Sequence, residues 1–141
     1  MTDEQIALVK HTWSYFRKLD PILVGEVFYG KLFVLAPELK SMFHTPIEIQ
    51  SKKIVDMLSL IVGHLHNLNQ LSDDITQLAQ RHVNYGVKAH HYKTVCLALL
   101  WTLQHGLGRD WNEQVKEAWE TCFNILSDSM IKASGYSPKS R

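Results

Sequence analysis

Tyr29, Gln50 and His82 are polar side chains set on the apolar faces of three separate helical segments. A phenol, a carboxamide and an imidazole can all hydrogen-bond, and the imidazole can also ligate a metal. Left unpartnered in an interior, such a group costs about 1–3 kcal/mol. Three that converge imply that something occupies the space between them. Taken singly, each has a plainer explanation. Gln50 could bond a loop carbonyl, His82 could be a satisfied core histidine, and Tyr29 could tie its hydroxyl to backbone.

Other chemistries find no support. The chain has eight histidines, but no pair has the HExxH spacing of a zinc hydrolase and no Cys-x-x-Cys accompanies them. His64 and His66, two apart on a helix, point to different faces. His90-His91 precedes a helix start and is expected to face solvent. Without Cys-x-x-Cys-His, any haem would be held non-covalently. There is no phosphate-cradling glycine loop and no serine nucleophile elbow. Asp73-Asp74 is adequately explained as helix-start charge.

The elements that must position the three polar groups are helices. Thr2-Asp3-Glu4-Gln5 reads as a capping box, and Asp20-Pro21 as an N-cap followed by proline at the first helical position. Thr45-Pro46-Ile47-Glu48 combines both devices, and Asp110-Trp111-Asn112-Glu113 repeats the box. Ser72-Asp73-Asp74 opens another helix, and Gly86, Gly106 and Gly108 are plausible stops. The apolar period between these signals is that of a helix. Ile6, Val9, Trp13 and Phe16 mark the first. The second, from about Asp20 to Leu35, is apolar nearly all round and should be buried. A short turn around Pro37–Phe43 follows. Ile47, Gln50, Ile54, Met57, Leu58, Ile61 and Leu65 mark the third helix, and Ile75, Leu78, Ala79 and His82 the fourth. The last two carry Tyr92, Val95, Cys96, Leu99, Leu103 and Leu107, then Val115, Trp119, Cys122, Leu126 and Met130. No strand-length alternation occurs. The expectation is an all-α fold of six main helices plus a short connector.

At 141 residues the chain is long enough for one core and too short for two. A single domain over 1–141 is expected, with the Ser/Pro/Lys tail at 134–141 frayed. Hydrophobic residues make up 45% and charged residues 21%, and the net charge is +1, so nothing suggests a nucleic-acid or membrane surface. The acidic, polar start is no secretory signal, and cytoplasm is the default compartment. Cys96 and Cys122 lie on apolar stripes and are expected to be reduced core thiols.

The stretch Phe28-Tyr29-Gly30-Lys31-Leu32-Phe33, then Ala36-Pro37-Glu38, then Met42-Phe43, resembles the second helix and turn of globins. Arg81-His82-Val83-Asn84-Tyr85-Gly86-Val87, followed by His91-Tyr92-Lys93-Thr94-Val95, resembles the globin proximal segment, and Ala118-Trp119 fits the bacterial members. The likeness runs from about Gln5 to Ala133. It is greatest to single-domain bacterial globins related to flavohaemoglobin haem domains, a group that includes the Hell's Gate globin. The resemblance implies a globin fold around haem b, with His82 as axial iron ligand and Phe43 stacked on the porphyrin. Tyr29 and Gln50 would be distal donors to bound dioxygen, and Ile54 and Met57 would crowd the distal side. Leu78, Val87 and Tyr92 would complete the haem contacts. A competing alignment, read back from Leu71, puts Lys53 in the distal position instead. Gln50 is preferred because it shares the stripe with Ile54, whereas Lys53 falls on the flank, within reach of a haem propionate.

Two features depart from flavohaemoglobins. Ser134 stands where their last helix carries a glutamate that bonds the proximal histidine, and Phe123 replaces a usual tyrosine; Tyr92 is kept. The implied function is tight, reversible dioxygen binding with nitric oxide detoxification, electrons coming from a separate reductase. The alternative is a haem-based gas sensor or electron-transfer module. The plainest alternative is a haem-free helical bundle. Nucleic acid and membrane are not expected partners.

Overall fold

The computed structural model describes residues 1–84 and 86–134. Helices form where cap and apolar period coincide. α1 (Asp3–Phe16) opens with the capping box: Thr2 Oγ1 accepts the Gln5 amide, and Gln5 Oε1 accepts the Thr2 amide. α2 (Pro21–Leu35) is capped by Asp20, whose Oδ1 accepts the Ile22 amide at 3.0 Å. A 3-10 turn, Pro37–Met42, leads to α3 (Ile47–Gly63). A second 3-10 turn, Leu68–Leu71, leads to α4 (Ser72–Asn84), with Asp73 and Asp74 in its first turn. α5 (Ala89–Leu107), a 3-10 turn at Gly108–Asp110 and α6 (Glu113–Ala133) follow. No described residue is in a strand. The fold is all-α.

α1 lies across α6, α3 and α5, and α6 also packs on α4 and α5. The first-helix residues Ile6, Val9, Trp13 and Phe16 are all buried, as are Val115, Trp119 and Cys122 of α6. Polar satisfaction accompanies this packing: Trp119 Nε1 donates to Thr12 Oγ1 at 3.0 Å, and Trp13 Nε1 to Ser59 Oγ at 2.9 Å. α2 crosses α3 so closely at Gly25 that a Cβ there would overlap the Ser51 side chain. Among the described residues α3 and α4 share no extended contact, and a cavity opens between them.

Several expectations need correction. α2 is buried on one side only: Leu23 is 58% and Val34 74% exposed. Apolarity all round the helix does not ensure cover, because α2 packs mainly on α3, α5 and the following turn. Thr45 does not cap α3. Pro46 is the N-cap, one residue later, with no side-chain cap, and α3 ends at Gly63, so Leu65 and His66 lie in the turn beyond. Asn112, not Asp110, caps α6, its Oδ1 accepting the Val115 amide at 2.9 Å. Asp110 is spent on the preceding turn. Gly106 does not stop α5 but lies within it, where a Cβ would overlap the Phe16 ring. Gly108, at φ 54°, ends α5, and Gly86, at φ 88°, follows α4. The tail expected to fray lies, beyond Ser134, outside the described residues.

Candidate functional site

The cavity is about 680 Å³, within the range of roughly 300–1,000 Å³ usual for ligand and cofactor sites. Its lining follows from helical periodicity. Gln50, Ile54 and Met57 fall on one row of α3, adjacent to the row Ser51, Val55, Leu58 and Val62 that packs into the core. Lys53 borders that row at the exposed edge. Leu78 and His82 are one turn apart on α4, and Tyr92 and Val95 look in from α5. Tyr29, from α2, is held by aromatic edges, with its ring centroid 4.8 Å from Phe28 and 5.2 Å from Phe43.

Every residue proposed from the sequence lines this one cavity: Tyr29, Phe43, Gln50, Lys53, Ile54, Met57, Leu78, His82, Val87 and Tyr92. Gln50 is half-buried and Lys53 exposed, so the carboxamide sits deeper than the ammonium.

His82 is half-buried at the end of α4. Its Nδ1 lies 2.7 Å from the Leu78 carbonyl oxygen. A carbonyl only accepts, so Nδ1 carries the proton. Burial lowers the His82 pKa below its ordinary value, the Leu78 hydrogen bond opposes this, and Arg81 assists it. The ring is therefore neutral near pH 7, and its remaining nitrogen, Nε2, offers a lone pair. Tyr92 stacks on it, centroids 6.2 Å apart at 29°.

Burial pushes the Tyr29 pKa up to about 12, so the phenol keeps its proton as a donor. Among the described residues no hydrogen bond engages the Tyr29 hydroxyl or the Gln50 carboxamide. The cavity thus offers the Nε2 lone pair of His82, the uncommitted Tyr29 hydroxyl and Gln50 carboxamide, and an apolar wall that includes Phe43, Met57, Leu78, Val87 and Leu99. That donor set suits a flat apolar cofactor carrying a metal that accepts nitrogen. Among the described residues no group of three or more His, Cys, Asp or Glu could hold a bare metal ion.

The sequence reading missed Phe28, Leu39, Met42, His44, Arg81, His91 and Leu126, which also line the cavity. Leu126 stood on a recognised apolar stripe, which marks burial without saying against what. His91 was expected in solvent but is 4% exposed, while His90 is open. His91 Nδ1 accepts the Lys88 amide at 2.9 Å. Ser134 Oγ donates to the Met130 carbonyl at 2.6 Å, closing α6. Cys96 and Cys122 are free thiols, both with pKa raised by burial, Cys122 to about 12. No helix among the described residues is long and apolar enough to cross a membrane.

Comparison with known proteins agrees with this geometry. The globin family model matches residues 26–130. A flavohemoprotein of Vibrio cholerae is 28% identical over 138 residues, covering 96% of this chain but only 35% of that protein. An anaerobic nitrite reductase of Gossypium hirsutum is 28% identical, covering 89% of this chain and 85% of that one. A bacterial globin from Campylobacter jejuni superposes with a TM-score of 0.83 at 26% identity, covering 95% of this chain and 96% of that one. An engineered carbene transferase built on a Rhodothermus marinus protein superposes at 0.86, with 23% identity, over 96% and 94% of the two chains. With the family model matching well over half its length and the cavity where the fold leaves one, this chain belongs to the globin family.

Proposed function

We propose that the cavity holds haem b non-covalently, that the protein binds dioxygen reversibly and tightly, and that it disposes of nitric oxide. The observation carrying this reading is the neutral His82, its Nδ1 proton committed to Leu78 and its Nε2 left over, in a cavity that also presents Tyr29 and Gln50. Haem iron supplies the reversible binding of the diatomic gas and its reaction with nitric oxide to nitrate. The chain's own residues set the conditions. Neutral His82 would hold the group through Nε2, its orientation fixed by the Leu78 carbonyl. Phe43 would pack against the porphyrin, and Ile54, Met57, Leu78, Val87 and Tyr92 would exclude water from it. Lys53 and Arg81, both exposed, would hold the propionates while keeping their charge in solvent.

Tyr29 and Gln50 would donate hydrogen bonds to a diatomic ligand held in the cavity. Each hydrogen bond contributes about 1–3 kcal/mol, a factor of roughly 5–150 in the release rate. The electron donor is a separate reductase, in keeping with a relative named for both flavin and haem of which this chain spans about a third. Two free thiols suit a reducing cytoplasm. The test is hemin titration followed by stopped-flow mixing of the dioxygen complex with nitric oxide. A Soret band and rapid loss of the dioxygen spectrum are expected. No Soret band ends the haem reading, and a slow reaction removes the detoxification role alone.

A further inference from the structure

His91 sits where two parts of the cavity wall meet. Its Nδ1 accepts the backbone N–H of Lys88, the N-cap of α5, at 2.9 Å. An amide N–H only donates, so Nδ1 carries the lone pair and the neutral ring bears its proton on Nε2. That Nε2 is 3.8 Å from Glu38 Oε1, an attraction longer than a direct hydrogen bond. Glu38 belongs to the Pro37–Met42 turn, which delivers Phe43 to the cavity and to the Tyr29 ring. On the other side, Lys88 ends the segment that leaves α4. There the Val87 amide donates to the His82 carbonyl at 3.0 Å, and Tyr92, next after His91 in α5, stacks on the His82 ring.

The geometry points to His91 as a positioning residue for the haem site: its neutral imidazole caps α5 and ties the segment behind His82 to the turn that carries Phe43. This rests on the haem reading above. The charged groups acting on the ring are Glu38 from the turn and His90 and Lys88 from its own helix start. Burial and then His90 lower the His91 pKa, Glu38 opposes them, and Lys88 adds slightly to the lowering. A proton on Nδ1 would set one N–H against another and break the cap. The sign follows: a folded pKa below the ordinary value of 6.5 keeps the cap intact above that pH, and the cap is lost as pH falls below it.

The test compares the hemin-loaded full chain with His91→Leu and His91→Gln, measuring hemin transfer to an excess of scavenger and the iron–histidine stretching band of the ferrous form. Glutamine at this position of a capping box accepts the N-cap amide, whereas leucine cannot. Expected for His91→Leu are hemin loss about fivefold faster and a displaced iron–histidine band. His91→Gln should keep the wild-type rate and band near pH 7 and lose part of the wild-type acceleration of hemin loss as pH falls below 6.5. A cap that served stability alone would leave the band unmoved, which overturns the assignment. Equal hemin loss and equal bands in wild type and His91→Leu also overturn it, as does a glutamine variant that matches leucine. Should His91→Leu fail to fold, Glu38→Ala removes the tie and spares the cap; it should displace the band, and an unmoved band overturns the tie. A wild type that takes up no hemin overturns the haem reading and this one together.

Discussion

His82 Nδ1 and the Leu78 carbonyl oxygen, 2.7 Å apart on consecutive turns of α4, decide which nitrogen of the imidazole is free. The donor is spent within its own helix, so the ring can offer only Nε2 to a partner in the cavity. His82→Ala should therefore abolish stable hemin coordination, and added imidazole should partly restore the ligated spectrum. Retention of hemin with an unchanged spectrum in the alanine variant would show that the ligand lies elsewhere.

Tyr29 lines the cavity with its hydroxyl uncommitted among the described residues, and Gln50 does the same from α3. Tyr29→Phe and Gln50→Leu should each accelerate dioxygen release by roughly 5–150-fold, with little effect on folding. Flash photolysis or stopped-flow release with a dioxygen trap measures this. Unchanged release in both variants means that neither side chain reaches the ligand, and Lys53→Ala then becomes the variant to test.

The Tyr29 phenol should titrate late. Its pKa is pushed up to about 12 by burial, against an ordinary value of 10.0. A folded pKa above the unfolded one means stability that is intact below pH 10 and is lost as pH rises toward 12. In the apoprotein, spectrophotometric titration of phenolate should show a component that ionises above the others or only on unfolding, and Tyr29→Phe should delete it. A late component that persists in the phenylalanine variant belongs to another tyrosine.

The α2–α3 crossing leaves no room at Gly25, where a Cβ would overlap the Ser51 side chain. Gly25→Ala should destabilise the apoprotein by about 1–3 kcal/mol in urea unfolding, as overpacking does. Adding Ser51→Gly should recover part of that loss by vacating the contact. Stability that is equally low in the double variant would place the cost in the backbone rather than in the crossing.

The one-row pattern Gln50, Ile54 and Met57 and the pair Leu78 and His82 were legible before any coordinates, because side chains three and four apart on a helix share a face. So were the caps at Thr2 and Asp20, where the side-chain oxygen and the free amides lie within a few residues of each other. Thr45 and Asp110 failed as caps because each helix starts later, at Pro46 with no side-chain cap and at Asn112, whose Oδ1 accepts the Val115 amide.

His91 was misjudged because its partners are its own helix start, through one hydrogen bond, and Glu38, 53 positions earlier in the chain. Leu23 and Val34 erred the other way: their apolarity implied cover that the packing of α2 does not provide.

Local order therefore came from the sequence alone: six helices, most of their boundaries, the faces they turn inward and the candidate residues on those faces. Those features depend on interactions within about one turn of helix, which a linear pattern encodes directly. Only the tertiary structure decided that α3 and α4 stand apart, and that the phenol from α2, the carboxamide from α3 and the imidazole from α4 line one volume. That outcome depends on which helices exclude one another and which pack, a balance among surfaces distant in the chain that no single segment specifies.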